Sequence, residues 1–347
     1  MSRRYLLVGN ATSQSGRGLE RIDLVLKTMR DHALEVTFLP TEPEGRTVGL
    51  IAAAIDAGGV DAVVYVGGDG TFAEVAKGVL QASRSVVMGM MPAGTANDQG
   101  KSFGIGSEAK DVADNVGLLI ADHQIQMDVG RIQQLAPDGQ VIAQDLWFDN
   151  VGFGLVPSIL ARRNRDRGLI GQIPILREVY RDQAVYVGAV VGEVVRSYVE
   201  PVKFAADIRV GDRQIHVEGL TDILINNTPM FGGEWVPDRT AVADDGLLDL
   251  ALMKGRRDML SKLVRDHKFA PFWTGEALGV DLADTIRAER FDLTLLMPRV
   301  GDVPTQIDGE EWTAGTHFIV DVGLGRLSLI VRQGFVPPWW PAEETDA

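Results

Sequence analysis

Cysteine is absent from the sequence, which excludes disulfide bonds and catalysis by a thiolate. Long apolar stretches are missing as well: segments such as 62–66 and 86–91 are as long as strands, well below the roughly 20 residues that span a bilayer. The apolar run at 5–8 is too short for a signal peptide. These absences predict a cytoplasmic protein, with any membrane association peripheral and transient.

Basic residues are outnumbered, with 34 Lys and Arg against 48 Asp and Glu, a net charge of −14. This balance argues against nucleic acid as a partner and against broad attachment to an anionic membrane, so any lipid contact has to be local. Arginines cluster in 162–181, beside apolar residues. This cluster either meets anionic headgroups or forms a solvated helix face that pairs with acidic neighbours; the second interpretation is slightly favoured.

A chain of 347 residues predicts two domains. Over 1–125, apolar strands alternate with helical patterns, which indicates an α/β domain with a parallel sheet and helices on both faces. Over 126–335, closely spaced strand-length segments with helices inserted at 173–198 and 258–266 predict a mainly antiparallel β-sandwich. Residues 336–347 are expected to form an irregular tail, and the final segment is free to return to the first domain.

A glycine-rich turn follows the apolar strand at 62–66 directly and precedes a predicted helix at about 72–80. Its residues are Gly67, Gly68, Asp69, Gly70 and Thr71. Glycines permit close backbone approach, and a helix N-terminus offers free N–H groups and a positive dipole end. The turn therefore predicts a phosphate site. Thr71 and Glu74 also fit an ordinary capping box, which would not explain three glycines around one aspartate.

A second polar turn follows the next apolar strand. It runs from Pro92 to Asp98 and offers a hydroxyl, an amide and a carboxylate from Thr95, Asn97 and Asp98. Because ligands of open α/β sheets bind at the carboxyl ends of the strands, both turns are predicted at the same edge. The alternative is a simple turn of Pro, Gly and Asn with an Asx cap.

With these motifs in view, the sequence resembles the diacylglycerol-kinase-type lipid kinases, which include sphingosine kinases and bacterial lipid kinases. The resemblance covers nearly the whole chain through four motifs in order: the glycine turn with Glu74, the Pro92–Asp98 turn, the stretch 232–249, and Asp308-Gly309-Glu310. Taken alone, 244–246 and 308–309 also suit ordinary hairpin turns. The chain departs from the family at Ala11, where proline is common, and at Glu234, where glycine is usual.

The resemblance implies a role for each matching residue. ATP would be bound by the first loop, by a threonine after the second strand and by the two turns; the matching residues are Asn10, Thr41, Gly67, Gly68, Asp69, Gly70, Thr71, Glu74, Gly94, Thr95, Asn97 and Asp98. Asp69 would act through Mg²⁺ and the phosphates, and Glu310 would be the general base. Asp245, with the carbonyls of Val242 and Leu247, matches a second Mg²⁺ site of more structural character.

The sequence therefore predicts an ATP- and Mg²⁺-dependent lipid kinase that acts on a lipid hydroxyl at a membrane surface. Two alternatives stay open: an NAD kinase, which shares the glycine turn, and a catalytically silent regulator that binds nucleotide or lipid. The sequence does not identify the lipid, and it leaves the oligomeric state open, a homodimer included.

Overall fold

The computed structural model describes residues 3–11, 17–155, 157–158, 203–233, 236, 238, 240–254, 285–297 and 301–337. The chain forms two compact units, and neither is continuous in sequence. The first unit comprises Met1–Val129, Asn227–Gly246 and Gly323–Ala347, and the second comprises Gly130–Asn226 and Leu247–Val322. The sequence analysis left only the final segment free to return to the first domain, whereas the chain leaves the first unit and returns to it twice.

The described helices are α1 (Arg17–Asp31), α2 (Arg46–Asp56), α3 (Asp69–Gln81), α4 (Asp98–Ser102) and α5 (Val112–Ala121). The described strands are β1 (Arg4–Gly9), β2 (Glu35–Pro40), β3 (Ala62–Gly67), β4 (Val87–Pro92), β5 (Gln124–Leu135), β6 (Val141–Trp147), β7 (Asn150–Gly154), β8 (Phe204–Val210), β9 (Arg213–Leu220), β10 (Asp222–Asn226), β11 (Leu248–Met253), β12 (Ile286–Ala288), β13 (Arg290–Leu296), β14 (Val303–Ile307), β15 (Glu310–Gly315) and β16 (His317–Ile330).

The first unit is built on a parallel sheet in the order β2-β1-β3-β4, extended by the last residues of β16. The strands β1, β3 and β4 are buried on both faces because helices cover both, whereas β2 lies at the edge of the sheet and is partly exposed. Leu7 and Val64 pack with α1 and α5 in one core cluster, while the ring of Tyr65 meets Phe72 of α3 at a centroid distance of 5.5 Å. The predicted α/β architecture is confirmed.

The second unit is antiparallel. One sheet has the order β12-β11-β10-β7-β14-β15, and the other pairs the first part of β16 with β13, β8 and β9. Both contribute to one core, in which Phe153 of β7 meets Phe318 of β16 at a centroid distance of 4.9 Å. The predicted antiparallel β-sandwich is confirmed.

Several predicted element boundaries differ from the structure. One of the strand-length segments, 214–225, divides at Thr221 into β9 and β10, and 303–315 forms two strands that the sequence pattern did not reveal. The predicted helices at 173–198 and 258–266, the arginine cluster 162–181 and the tail beyond 337 lie outside the described residues.

Within the described ranges, no helix is both long enough and apolar enough to cross a bilayer.

Candidate active site

The carboxyl ends of four parallel strands lie level at one edge of the first unit's sheet. Gly9 pairs with Pro40 and with Val66, and Gly67 pairs with Pro92. The residues that follow these strand ends are Asn10, Thr41, Gly68 and Ala93. The prediction that the two motif turns lie at the same edge is confirmed.

The two turns touch through their glycines. A Cβ atom on Gly94 would lie 2.4 Å from the Cα of Gly68, and a Cβ on Gly68 would lie 3.1 Å from the Cα of Gly94. The N–H of Ala93 also donates to the carbonyl of Gly67 at 2.7 Å. Any side chain at position 94 would force the two turns apart, so this glycine is required for their contact.

Gly94→Ala is therefore expected to destabilise the first unit by about 1–3 kcal/mol, the usual penalty of overpacking. Urea unfolding measures the change, and Gly117→Ala is the matched control because no atom lies within 4 Å of a Cβ atom built there. Equal stabilities of the two variants would contradict the packing argument.

Helix α3 begins at Asp69, three residues before the predicted start at Phe72. Its N-cap, Gly68, is extended (φ −94°, ψ −170°) and supplies no side-chain cap. The predicted capping box was wrong: Thr71 lies inside the first turn, because the extended glycine lets the helix begin earlier. The uncapped N–H groups and the helix dipole make this end suited to a phosphate.

The carboxylate of Asp69 connects the glycine turn to the second turn. One of its oxygens accepts the N–H of Gln99 at 3.2 Å. Burial raises the pKa of Asp69, while the backbone N–H groups of Gln99, Asn97 and Asp98 partly offset that rise. The carboxylate is thus directed at the start of α4.

Asn97 holds the second turn closed. It adopts a left-handed conformation (φ 56°, ψ 46°), and its side chain is 3% exposed. The side-chain oxygen accepts the N–H of Gly94 at 2.7 Å, and the amide nitrogen donates to the carbonyl of Gly94 at 2.9 Å. These bonds give Asn97 a structural role in shaping the turn, and they leave Thr95 exposed at its tip.

Asp98 joins the second turn to the glycine pair at 232–233. Its carboxylate accepts the N–H groups of Gly232, at 2.8 Å, and of Gly233, while Lys101 donates from Nζ to the carbonyl of Gly233. Gly233 adopts φ +83°, and a Cβ there would lie 3.0 Å from the Cα of Ala96. Three of the four motifs therefore meet within the first unit.

Asp69 and Asp98 form an electrostatically strained pair. Burial and, after it, the charge of Asp69 together raise the pKa of Asp98 to about 7, against the lowering effect of the hydrogen bonds from Gly233 and Gly232. A divalent cation would relieve this repulsion, and carboxylate oxygens are the ligands Mg²⁺ prefers. Within the described ranges no three His, Asp or Glu residues converge on a metal site. The pair suits Mg²⁺, which commonly takes one or two carboxylates and completes its shell with phosphate and water.

The pH dependence of stability tests the state of Asp98. Because its pKa is higher in the folded protein than in the unfolded chain, the folded state holds an extra proton between pH ~4 and ~7. The stabilisation that the folded state gains by binding this proton is lost as pH rises through about 7. As pH rises over that range in EDTA, we therefore expect the stability of Asp98→Asn to increase relative to that of the wild type. Thermal melts at each pH measure the difference. Asp23→Asn, at an exposed position, is the control, and a difference independent of pH would contradict the assignment.

Asp128 is a site residue that the sequence analysis missed. It is fully buried on β5, its carboxylate accepts the N–H of Gly246 at 2.6 Å, and Arg326 lies 3.3 Å from its other oxygen. Its backbone N–H donates to Ala243 at 2.6 Å. Burial raises its pKa, with Asp245 a smaller contributor in the same direction. A carboxylate within an apolar strand was the available signal, because buried charges need partners.

The residues predicted for a second Mg²⁺ site are Val242, Asp245 and Leu247. Asp245 is exposed and Val242 partly buried, both in the first unit beside the Gly246 turn that Asp128 holds, and Leu247 begins the second unit. The chain turns at 243–244 and bends at 245–246, where Gly246 adopts φ +78°. This is not the hairpin turn expected there, because β10 ends at Asn226, long before β11 begins at Leu248.

Glu310 belongs to the second unit. It is exposed and opens β15, opposite Ile307 of β14. The connecting residues Asp308 and Gly309 adopt φ +47° and +77°, as a type I′ hairpin requires. The hairpin interpretation of this dipeptide is therefore confirmed, and it fixes the position of Glu310 at the end of the turn.

The tip of this hairpin is anchored by backbone hydrogen bonds. The carboxylate of Asp308 accepts the N–H groups of Phe148, Asp149 and Asn150 at 3.0, 2.7 and 3.3 Å. Gln306 adds a bridge, donating to the side chain of Asn150 at 2.6 Å and accepting the N–H of Gly309 at 2.7 Å. The turn that precedes Glu310 is thus held in place by several hydrogen bonds.

Comparison with known proteins agrees with this arrangement. Residues 4–132 match the diacylglycerol kinase catalytic domain. Over these residues the chain is similar to that domain. The matched range contains both motif turns and ends before Asp245 and Glu310.

Individual relatives extend the likeness. A diacylglycerol kinase of Mycobacterium tuberculosis is 29% identical over 241 residues, which cover 69% of this chain and 68% of that protein. A crystal structure of a diacylglycerol kinase from Bacillus anthracis superposes with a TM-score of 0.64 at 17% identity, covering 96% and 98% of the two chains. Yeast NADH kinase complexed with NADH gives 0.51 at 10% identity, covering 96% and 84%. These two structures share the fold of this chain.

Proposed function

We propose that this protein transfers the γ-phosphate of ATP to a hydroxyl group of a diacylglycerol-like or related lipid. The observation that carries the proposal is the contact of Gly68 with Gly94, which places the N-terminus of α3 and the carboxylates of Asp69 and Asp98 in one local site. Uncapped N–H groups attract phosphate, and paired carboxylates attract the cation that accompanies ATP. The matched diacylglycerol kinase catalytic domain supports the same reaction.

The nucleotide is proposed to lie along the edge where the four strands end. The phosphates would contact the glycine turn, Thr71 and Thr95, and Asn10 and Thr41 would contact the nucleotide from the neighbouring strand ends. Asn97 and Gly94 would contribute by shaping the second turn, and Glu74 would act from the first turns of α3. Bound Mg²⁺, held by Asp69 with Asp98, would neutralise charge on the phosphates.

Glu310 is proposed as the general base. Its carboxylate would take the proton from the lipid hydroxyl as the hydroxyl oxygen bonds to the γ-phosphorus and the bond to the β-phosphate oxygen breaks, which releases ADP. The supported hairpin at Asp308 and Gly309 favours this role, because a base must be held in position. Val242, Asp245 and Leu247 are proposed as ligands of a second, structural Mg²⁺.

The two rival functions make different predictions. An NAD kinase would phosphorylate NAD, and the low-identity likeness to yeast NADH kinase concerns the fold alone. A silent regulator would bind ATP or lipid without turnover. The match to the diacylglycerol kinase catalytic domain over both turns favours a lipid acceptor.

Radiolabelled ATP with total lipid extract tests the proposal directly. Label is expected in a lipid product, with loss in EDTA, and mass spectrometry of that product identifies the acceptor. NAD is assayed in parallel. Label in NAD alone, or ATP binding without any labelled product, would overturn the proposal. Performing the assay with vesicles and with monomeric lipid also tests the proposed transient attachment to membranes, and the protein itself is proposed to be cytoplasmic.

A further inference from the structure

A cavity of about 590 Å³ lies in the first unit. Its walls come from the end of α4, the start of β5, the segment 241–244 and the residues that follow β16. Phe103, Ile125, Val331 and Phe335 make the wall largely apolar. The volume falls within the 300–1,000 Å³ typical of pockets for small ligands.

The wall formed after β16 is held in place by contacts of its own. The ring of Phe335 lies against Gly104, where a Cβ atom would come within 2.3 Å of it. Arg332 donates from Nε to the carbonyl of Gly104 at 2.9 Å, and Val331 donates to the carbonyl of His123 at 3.0 Å. The cavity is therefore preformed, which lowers the entropic cost of binding.

The polar groups of the cavity select the charge of its ligand. Arg332 is already paired with Asp114, which does not line the cavity, and Asp244 is exposed while lining it. An anionic headgroup would therefore meet a guanidinium whose charge is already compensated and would be repelled by the carboxylate of Asp244. His123 also lines the cavity, and within the described part of the chain its imidazole has no hydrogen-bonding partner. Hydroxyl groups can donate to the carboxylate and bond with the imidazole, so an uncharged polyol head suits this opening.

We propose that this cavity binds the hydrocarbon chain of a neutral single-chain lipid ester, with its hydroxyl-bearing head between His123 and Asp244. The ligand class is that of a monoacylglycerol. The proposal goes beyond phosphoryl transfer, and it is tested without ATP or Mg²⁺, so that its outcome is independent of the kinase assignment.

The probe is 1-monodecanoylglycerol below its critical micelle concentration, titrated calorimetrically into the full-length protein. One-to-one binding is expected, and 1-monooctanoylglycerol should bind about tenfold more weakly because two fewer CH₂ groups are buried. Decanoate has an acyl chain of equal length but a negatively charged carboxylate in place of the uncharged head, and it should bind more weakly than the ester. Equal or tighter binding of decanoate would overturn the choice of ligand, and no binding of the ester would overturn the site.

Two variants locate the binding to this cavity. Ala241→Phe fills it from a buried wall position, and Val336→Asp adds a charge at a lining residue that is 71% exposed, where folding is little affected. Both are expected to weaken binding at least about tenfold, whereas Ala53→Phe on the exposed side of α2 should leave it unchanged. Thermal melts report on folding.

The location is overturned if both variants bind like the wild type. A chain that ends at Pro337 provides a further arm. If the ester binds to this shortened chain but not to the full-length protein, residues 338–347 would be the occupant of the cavity, and the proposal would also be overturned.

Discussion

Asp69→Asn is expected to lower ATP-dependent phosphorylation of lipid by about 1,000-fold, the scale at which loss of one preorganised electrostatic group affects turnover. The substitution keeps the shape of the side chain and an oxygen that can accept the N–H of Gln99. It removes the charge that would bind Mg²⁺ and, through it, the phosphates. Initial rates with radiolabelled ATP and saturating lipid measure the effect.

The fold should survive this substitution. Asp69 raises the pKa of Asp98, so its neutralisation removes a repulsion between buried carboxylates, and the melting temperature in EDTA should be unchanged or higher. Asp23→Asn, which removes an exposed carboxylate from α1, is the control and should keep full activity. An Asp69→Asn protein that turns over like the wild type would end the kinase assignment at this site.

Glu310→Gln is expected to reduce kcat by about 100- to 10,000-fold, the range for loss of a general base. Gln keeps the size of Glu but cannot take the proton of the lipid hydroxyl. The affinity for ATP should stay unchanged, because the proposed phosphate contacts belong to the glycine turn. Single-turnover rates and an independent ATP titration separate the two quantities.

Glu311→Gln is a closely matched control for this second prediction. Glu311 follows Glu310 on β15 and is also exposed, but successive side chains of a strand point to opposite faces. It should therefore retain wild-type turnover. Equal losses in both variants would indicate a general charge effect, and a Glu310→Gln protein that lost ATP affinity while keeping kcat would place the base elsewhere.

The sequence predicted the motif turns better than it predicted the boundaries around them. The apolar strands that end at Gly67 and Pro92 predicted that the two turns lie at the same edge of the sheet. This was possible because parallel strands covered on both faces form nearly continuous apolar runs. The start of α3 was missed, since the extended Gly68 replaces the expected threonine cap. Asp128 was missed because its partner Gly246 lies 118 positions away in the sequence.

The sequence by itself determined the fold class, the two glycine-bearing turns and the carboxylates Asp69, Asp98 and Glu310, because local patterns of apolar residues, glycine and acid carry that information. Only the tertiary structure decided how the first unit's motifs meet. The return of 227–246 to that unit brings Gly232 and Gly233 onto Asp98, and the contact of Gly68 with Gly94 depends on the pairing of β3 with β4. Such contacts join residues far apart in sequence, so no local pattern encodes them.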